Sequence, residues 1–287
     1  MKEEQVLPAS LNVILTALCA ALYAVGAYST AYIPSPWGFG QFRPAVVIPS
    51  FFAVVFGPWV GGIGAALGTL ICDSVKHGTL HMGSLIAAVP GNFIGFFILG
   101  YMTKKKFTWE RFIVASYLTL AIGNLIVAFL YIFLYKVLYT QTLHMPVESL
   151  VMLSIGLTIF WFITMLPFSL TITPVLIRVV TTAFPGIVSK DIRAYSIGND
   201  IPKTTFSLAL AVPGLITLAT GLAIAYTPFG GYLVTNFPKT FTPAVMELLQ
   251  ILFYICGAAL TILGVTVLGA KNHFQPKSSK QSQLKTT

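Results

Sequence analysis

Within otherwise apolar sequence, residues 41–92 gather most of the side chains that could recognise a polar ligand. Arg43, Asp73, Lys76, His77 and His81 are ionisable, and Gln41 and Asn92 add amides. An arginine at the start of a short apolar run offers a planar fork of donors, suited to a carboxylate, a phosphate or a flat ring face. The same residue also serves as an interfacial anchor that reaches toward lipid head groups. Asp73 follows directly on Ile71-Cys72 and is the deepest member of the group. Ionisable residues at membrane depth mark function by default, so the cluster reads either as a ligand mouth or as a solvated loop between two spans. His77 and His81 stand four apart, a spacing that serves metal ligands on one helical face with Asp73 as a third. Gly78 and Gly83 favour a loop here, and no metal is expected.

A second set lies further on. Tyr117, Asn124 and Tyr131 fall at heptad spacing with Tyr135 one turn beyond, one face with polar tips. Buried amides are costly when unpaired, so Asn92 and Asn124 bond either a ligand or a neighbouring helix. Trp37, Tyr131, Tyr135 and Trp161 either stack on a flat ligand or belong to the aromatic belt at the membrane surface. The sequence contains no HExxH, GxSxG or P-loop pattern. No enzymatic activity and no cofactor are expected, and any ATP-driven step belongs to another chain.

The elements that must hold these residues are membrane helices. The chain has 287 residues, 56% hydrophobic and 9% charged, with a mean hydropathy of +0.85. Soluble domains carry about 25% charged residues. Inside a bilayer only helices or a closed barrel satisfy every backbone group, and long apolar runs without two-residue alternation select helices. The expected fold is all-α, a polytopic transmembrane bundle, with spans at 11–33, 44–56, 59–72, 83–102, 112–139, 148–180, 206–226 and 244–270. Gly57-Pro58 separates the second from the third. A single kinked span over 44–72 is the alternative, because each half is only about 20 Å long at about 1.5 Å per residue. Pro167 and Pro174 predict a bend in the sixth span.

Most of the 17 Lys and Arg residues fall on one set of loops. The positive-inside rule then puts the N-terminus and the 271–287 basic tail in the cytoplasm of a multi-pass plasma-membrane protein. The net charge of +9 is therefore a topology signal and not a nucleic-acid footprint. Glu3 and Glu4 spoil the basic start of a signal peptide, so the first span is expected to be retained. Cys19, Cys72 and Cys256 have neither disulfide nor metal spacing. Small residues at Gly57/Gly61 and Gly64/Gly68 recur every four positions and allow helices to approach closely.

Three stretches carry a family resemblance: Phe42-Arg43-Pro44, then Phe56-Gly57-Pro58-Trp59-Val60-Gly61-Gly62-Ile63-Gly64-Ala65-Ala66-Leu67-Gly68, then Pro90-Gly91-Asn92-Phe93-Ile94-Gly95. They resemble a substrate-binding S component of an energy-coupling factor (ECF) transporter, over about residues 10–180. In the first span Ala17 with Ala21, and Ala20 with Ala24, resemble the alanine motif through which S components meet their coupling subunit. The resemblance implies a six-helix core, residues 1–204 with the inner loop. It implies a vitamin or similar small metabolite bound on the outer side, beneath a lid formed by the loop after the first helix. It also implies docking, through Ala17, Ala21 and Ala24, on a transmembrane coupling subunit with two ATPase subunits, with toppling in the membrane. Trp37, Gln41, Arg43, Asp73, Lys76, His77, Asn92, Asn124, Tyr131 and Tyr135 are the expected substrate contacts. Residues 205–270 add two spans beyond those six. The rival reading is a solitary ion-coupled carrier, but Asp73, Glu148 and Glu247, its candidate acids, all fall at or near span ends, and no inverted repeat is visible.

Overall fold

The computed structural model describes residues 8–104, 106–194 and 202–269. The 271–287 tail, Lys105 and part of the loop after the sixth span lie outside the described residues. The helices are α1 (Ala9–Tyr28), α2 (Pro44–Phe56), α3 (Pro58–His77), α4 (Ser84–Lys104), α5 (Trp109–Tyr139), α6 (Val147–Ala183), α7 (Lys190–Ala194), α8 (Lys203–Tyr226), α9 (Pro228–Asn236) and α10 (Pro243–Gly269). Among the described residues seven helices are long and apolar enough to cross a membrane, and α2 is apolar but shorter. The chain is thus an all-α polytopic bundle.

Gly57 breaks the chain between α2 and α3 with φ of 97°, and Pro58 opens α3. That φ is strained for any side chain, while proline at the first helical position costs nothing. The expected split of 44–72 is therefore present. Although short, α2 runs from the cavity end of the bundle to the opposite end, so α1 and α3 on either side of it point the same way.

Most span boundaries fall within three residues of expectation, and two differ by five. The first span stops at Tyr28, not at 33, because Ser29 and Thr30 turn their hydroxyls onto the carbonyls of Gly26 and Phe42. The third runs past 72 to His77, where Gly78 ends it in the left-handed conformation with φ of 72°. Asp73, Lys76 and His77 consequently sit on a helix and not in a loop. Pro167 and Pro174 lie inside α6, which continues as one helix through both.

Close glycine contacts join the first helices. A Cβ on Gly64 would meet the Cys19 Sγ at 2.5 Å, and one on Gly68 the Ala20 carbonyl at 2.8 Å. α1 and α3 therefore pack side by side, in parallel, at backbone distance. Gly61 rests on Ala53 of α2, and Gly91 and Gly95 of α4 rest on α5. α8 and α10 pack chiefly on each other and lean on α5 and α6, with Leu210 and Leu260 fully buried. Tyr117 and Asn124 both turn toward α6, against Phe162 and Met165, and Tyr117 also donates its hydroxyl to the Ala209 carbonyl of α8.

Candidate ligand-binding site

A cavity of about 400 Å³ opens at the end of the bundle where α3 and α5 finish and α4 and α6 begin. Its cover is the connection from α1 to α2. Pro34 and Gln41 bridge in antiparallel fashion, Gly38 and Gly40 adopt positive φ, and the Ser35 N–H donates to Gly40 O at 3.1 Å. The result is a tight hairpin with Trp37 near its tip. Phe39, Gly40 and Gln41 line the cavity from above.

The wall facing α3 is polar and fully connected. Arg43 and Asp73 are both buried and form an ion pair. Arg43 also donates to the Thr69 hydroxyl. The Gln41 Nε2 donates to Asp73 Oδ1 at 2.8 Å, and the Ser84 hydroxyl donates to Asp73 Oδ2. Lys76 Nζ donates to the Ala31 carbonyl at 2.5 Å and to Gln41 Oε1 at 3.0 Å. Burial opposes the Arg43 charge, but the facing Asp73 carboxylate outweighs it and holds the guanidinium above its ordinary pKa. A buried charge pair persists only when its remaining donors and lone pairs are satisfied, and here Gln41, Thr69 and Ser84 do that.

At the mouth the His77 and His81 rings stack at 4.2 Å. Stacked rings do not converge on a metal. His77 Nδ1 bonds the Asp73 carbonyl at 2.7 Å, so it carries the proton. His81 Nδ1 accepts from the Ser84 backbone N–H at 3.1 Å, so its proton sits on Nε2. Burial and the neighbouring His77 push the His81 pKa down. Lys136 lines the cavity with its ammonium over the Tyr131 and Tyr135 rings, at 5.7 and 5.6 Å.

The floor is apolar with two amides. Asn92 lines it, and no hydrogen bond to its side chain occurs among the described residues. Among the described residues Asn124 has one side-chain contact of this kind, a long donor contact of 3.8 Å to Met165 Sδ. Trp161 closes one side and donates its indole N–H to the Gln41 backbone carbonyl at 3.1 Å. Tyr131 stands opposite, its ring 6.1 Å from Phe39.

Of the residues expected to touch substrate, Gln41, Arg43, Asp73, Lys76, His77, Asn92, Asn124 and Tyr131 line this cavity. Trp37 and Tyr135 do not. Trp37 points away, against Gly156 and Phe241. Tyr135 packs behind the site, edge-on to His81 at 5.8 Å. Its departure from the heptad face has a cause: from Leu130 to Tyr139 α5 is wound as a π-helix, whose wider turn rotates later side chains off an α-helical stripe. Ser84–Ala88, facing it, is also π-helical. Thr69 and Ser84 were not anticipated, although Thr69, Asp73 and Lys76 share one face at i, i+4 and i+7, a signal of helix rather than loop.

On α1, Ala17 and Ala21 are exposed at the outer surface of the bundle, beside Val13, Ile14, Leu18, Leu22 and Val25. Ala24 is buried at 6% exposure and faces the core. Only the first two therefore share an outward face.

The family model described as ECF-type riboflavin transporter, S component, matches residues 9–176. No curated protein and no solved structure matches the chain.

Proposed function

The chain belongs to the family of ECF-type riboflavin transporter S components, and we propose that it captures riboflavin, or a close heteroaromatic relative, for ATP-driven import by partner subunits. It is a substrate-specific membrane subunit of an importer. The observation that carries the finer reading is the cavity, amphipathic in the same sense as that vitamin. Trp161, Tyr131 and Phe39 suit the faces of a fused ring, and the Asn92 and Asn124 amides suit its imide edge. Lys76, Lys136 and the two histidines at the mouth suit the oxygens of a polyol chain.

Sidedness supports uptake from outside. Lys104, Lys106, Arg111, Arg178, Lys190, Arg193 and Lys203 cluster at the end of the bundle opposite the cavity, so the positive-inside rule turns the cavity outward. In this reading Ala17 and Ala21 meet the transmembrane coupling subunit, which bears two ATPases. The extra pair, α8 and α10, leans on α5 and α6 and leaves α1 open for that contact. The buried acid Asp73 is already ion-paired with Arg43, which leaves it unsuited to the coupling-ion site that a solitary carrier requires.

Titrating the purified full-length protein, in lipid nanodiscs, with riboflavin tests the reading. Saturable one-to-one quenching of flavin fluorescence is expected. Folded protein that shows no saturable quenching overturns it.

A further inference from the structure

Residues 203–269 lie beyond the family match, yet they reach the cover of the cavity. The Trp37 indole N–H donates to the Thr240 carbonyl at 3.1 Å. Thr240 belongs to the link between α9 and α10, and is itself anchored by its hydroxyl on the Ser149 carbonyl of α6 at 3.2 Å. The Trp37 ring meets Phe241 edge-on at 6.4 Å and fills the space that a side chain at Gly156 would occupy. A Cβ on Gly156 would stand 2.5 Å from that ring. Phe241, in turn, belongs to a small apolar cluster in which Ile224, Leu233, Met246, Leu249 and Phe253 of α8 to α10 pack with Ile163 of α6.

We propose that the C-terminal hairpin is a latch for the lid, and that Trp37 is the positioning residue through which it sets how long a ligand stays bound. Trp37 does not touch the cavity, whereas Phe39, Gly40 and Gln41, two to four positions on, line it. A hairpin this short, pinned by two glycines in left-handed conformations, moves as one piece. Lifting Gln41 and Phe39 off the cavity pulls the indole out of its seat between α6 and Phe241 and breaks its bond to Thr240. The base of the hairpin has its own ties, through Gln41 to Asp73 and through Trp161 to the Gln41 carbonyl. Opening therefore needs release at two places, and only the one at the tip depends on α8 to α10.

The lid's mobility is tested without a ligand, and its use is tested with riboflavin, which rests on the function proposed above. Trp37→Phe removes the indole donor but keeps a ring in the seat. Gly156→Val closes the seat and leaves Trp37 intact. Hydrogen–deuterium exchange on the full chain in nanodiscs is expected to accelerate at the amides of residues 35–42 in both variants, with the α3 and α4 amides unchanged. Riboflavin release, followed by stopped-flow fluorescence, is expected to quicken about tenfold for Trp37→Phe, the equivalent of about one hydrogen bond. Unchanged exchange in both folded variants overturns the latch. Faster exchange with no riboflavin binding even in the unmodified protein upholds the latch and rejects the flavin reading. Faster exchange with an unchanged release rate overturns the role in retention.

Discussion

Arg43 and Asp73, thirty positions apart on different elements, form a buried ion pair in the wall of the cavity. Each neutralises the other, so neither is free to bind an ionic ligand group outright. Removing one partner strands a charge in a low-dielectric site, at a cost of roughly 3–5 kcal/mol. Arg43→Ala and Asp73→Ala are each expected to lower the melting temperature and abolish riboflavin binding. The double variant Arg43→Leu/Asp73→Leu is expected to melt above either single variant while still failing to bind. Thermal melts in nanodiscs decide this, and additive losses in the double variant would contradict a coupled pair.

The floor amides separate binding from folding. Among the described residues the Asn92 side chain has no hydrogen bond to lose, so Asn92→Leu is expected to leave the melting temperature unchanged. Riboflavin affinity is expected to fall by about 1 kcal/mol, roughly the net value of one hydrogen bond. A calorimetric titration on this variant that matches the unmodified protein removes Asn92 from the site.

How far the site was legible in sequence follows from these same residues. Gly57-Pro58 announced a break, because a glycine with positive φ followed by a helix-opening proline has few other uses. Gln41, Arg43 and Asp73 were legible as polar groups in apolar sequence, but their pairing was not. Nothing in the order of residues says which charge another will meet across two helices. The end of α3 is hidden in the sequence because polar residues imitate a loop when one helical face borders a polar cavity. The π-helical turns leave no pattern that periodicity recognises, so heptad spacing does not reveal that Tyr135 turns off the cavity face. Trp37 reads as a ligand contact because nothing in the sequence discloses that the link between α9 and α10 returns to meet it at Thr240 and Phe241.

Acid should weaken the mouth. The His81 pKa lies below its ordinary 6.5, held there by burial first and by His77, Arg43 and Lys136, with Asp73 acting against them. The unfolded chain thus takes up a proton more readily than the folded one. His81 contributes stability that is fully present above pH 6.5 and is lost as the pH falls below it toward the depressed folded value. Melting temperatures measured from pH 8 to pH 5 are expected to drop more steeply for the unmodified protein than for His81→Gln. Parallel curves would sink the assignment.

The outward face of α1 is the last test. Ala17→Trp and Ala21→Trp add bulk at exposed positions, so riboflavin binding and melting temperature are expected to stay unchanged. Copurification with a coupling subunit and its ATPases is expected to fall at least tenfold. Ala24→Trp, by contrast, inserts bulk into the core and is expected to destabilise by roughly 1–3 kcal/mol. Retained copurification in both Ala17 and Ala21 variants would move the interface elsewhere.

The glycine seam between α1 and α3 has a mechanical consequence. Tyr23 borders the cavity while Ala21, two residues before it on the same helix, faces outward. At Gly64 and Gly68 the backbone of α3 lies directly against Cys19, Ala20 and Tyr23 of α1, which leaves little room to absorb a displacement. A push on the alanine face is therefore transmitted as rigid-body motion, across one helix diameter of about 10 Å, to the wall that holds Asp73. On the proposed function, a partner held at Ala17 and Ala21 and a ligand held beside Asp73 would grip two sides of one stiff plate.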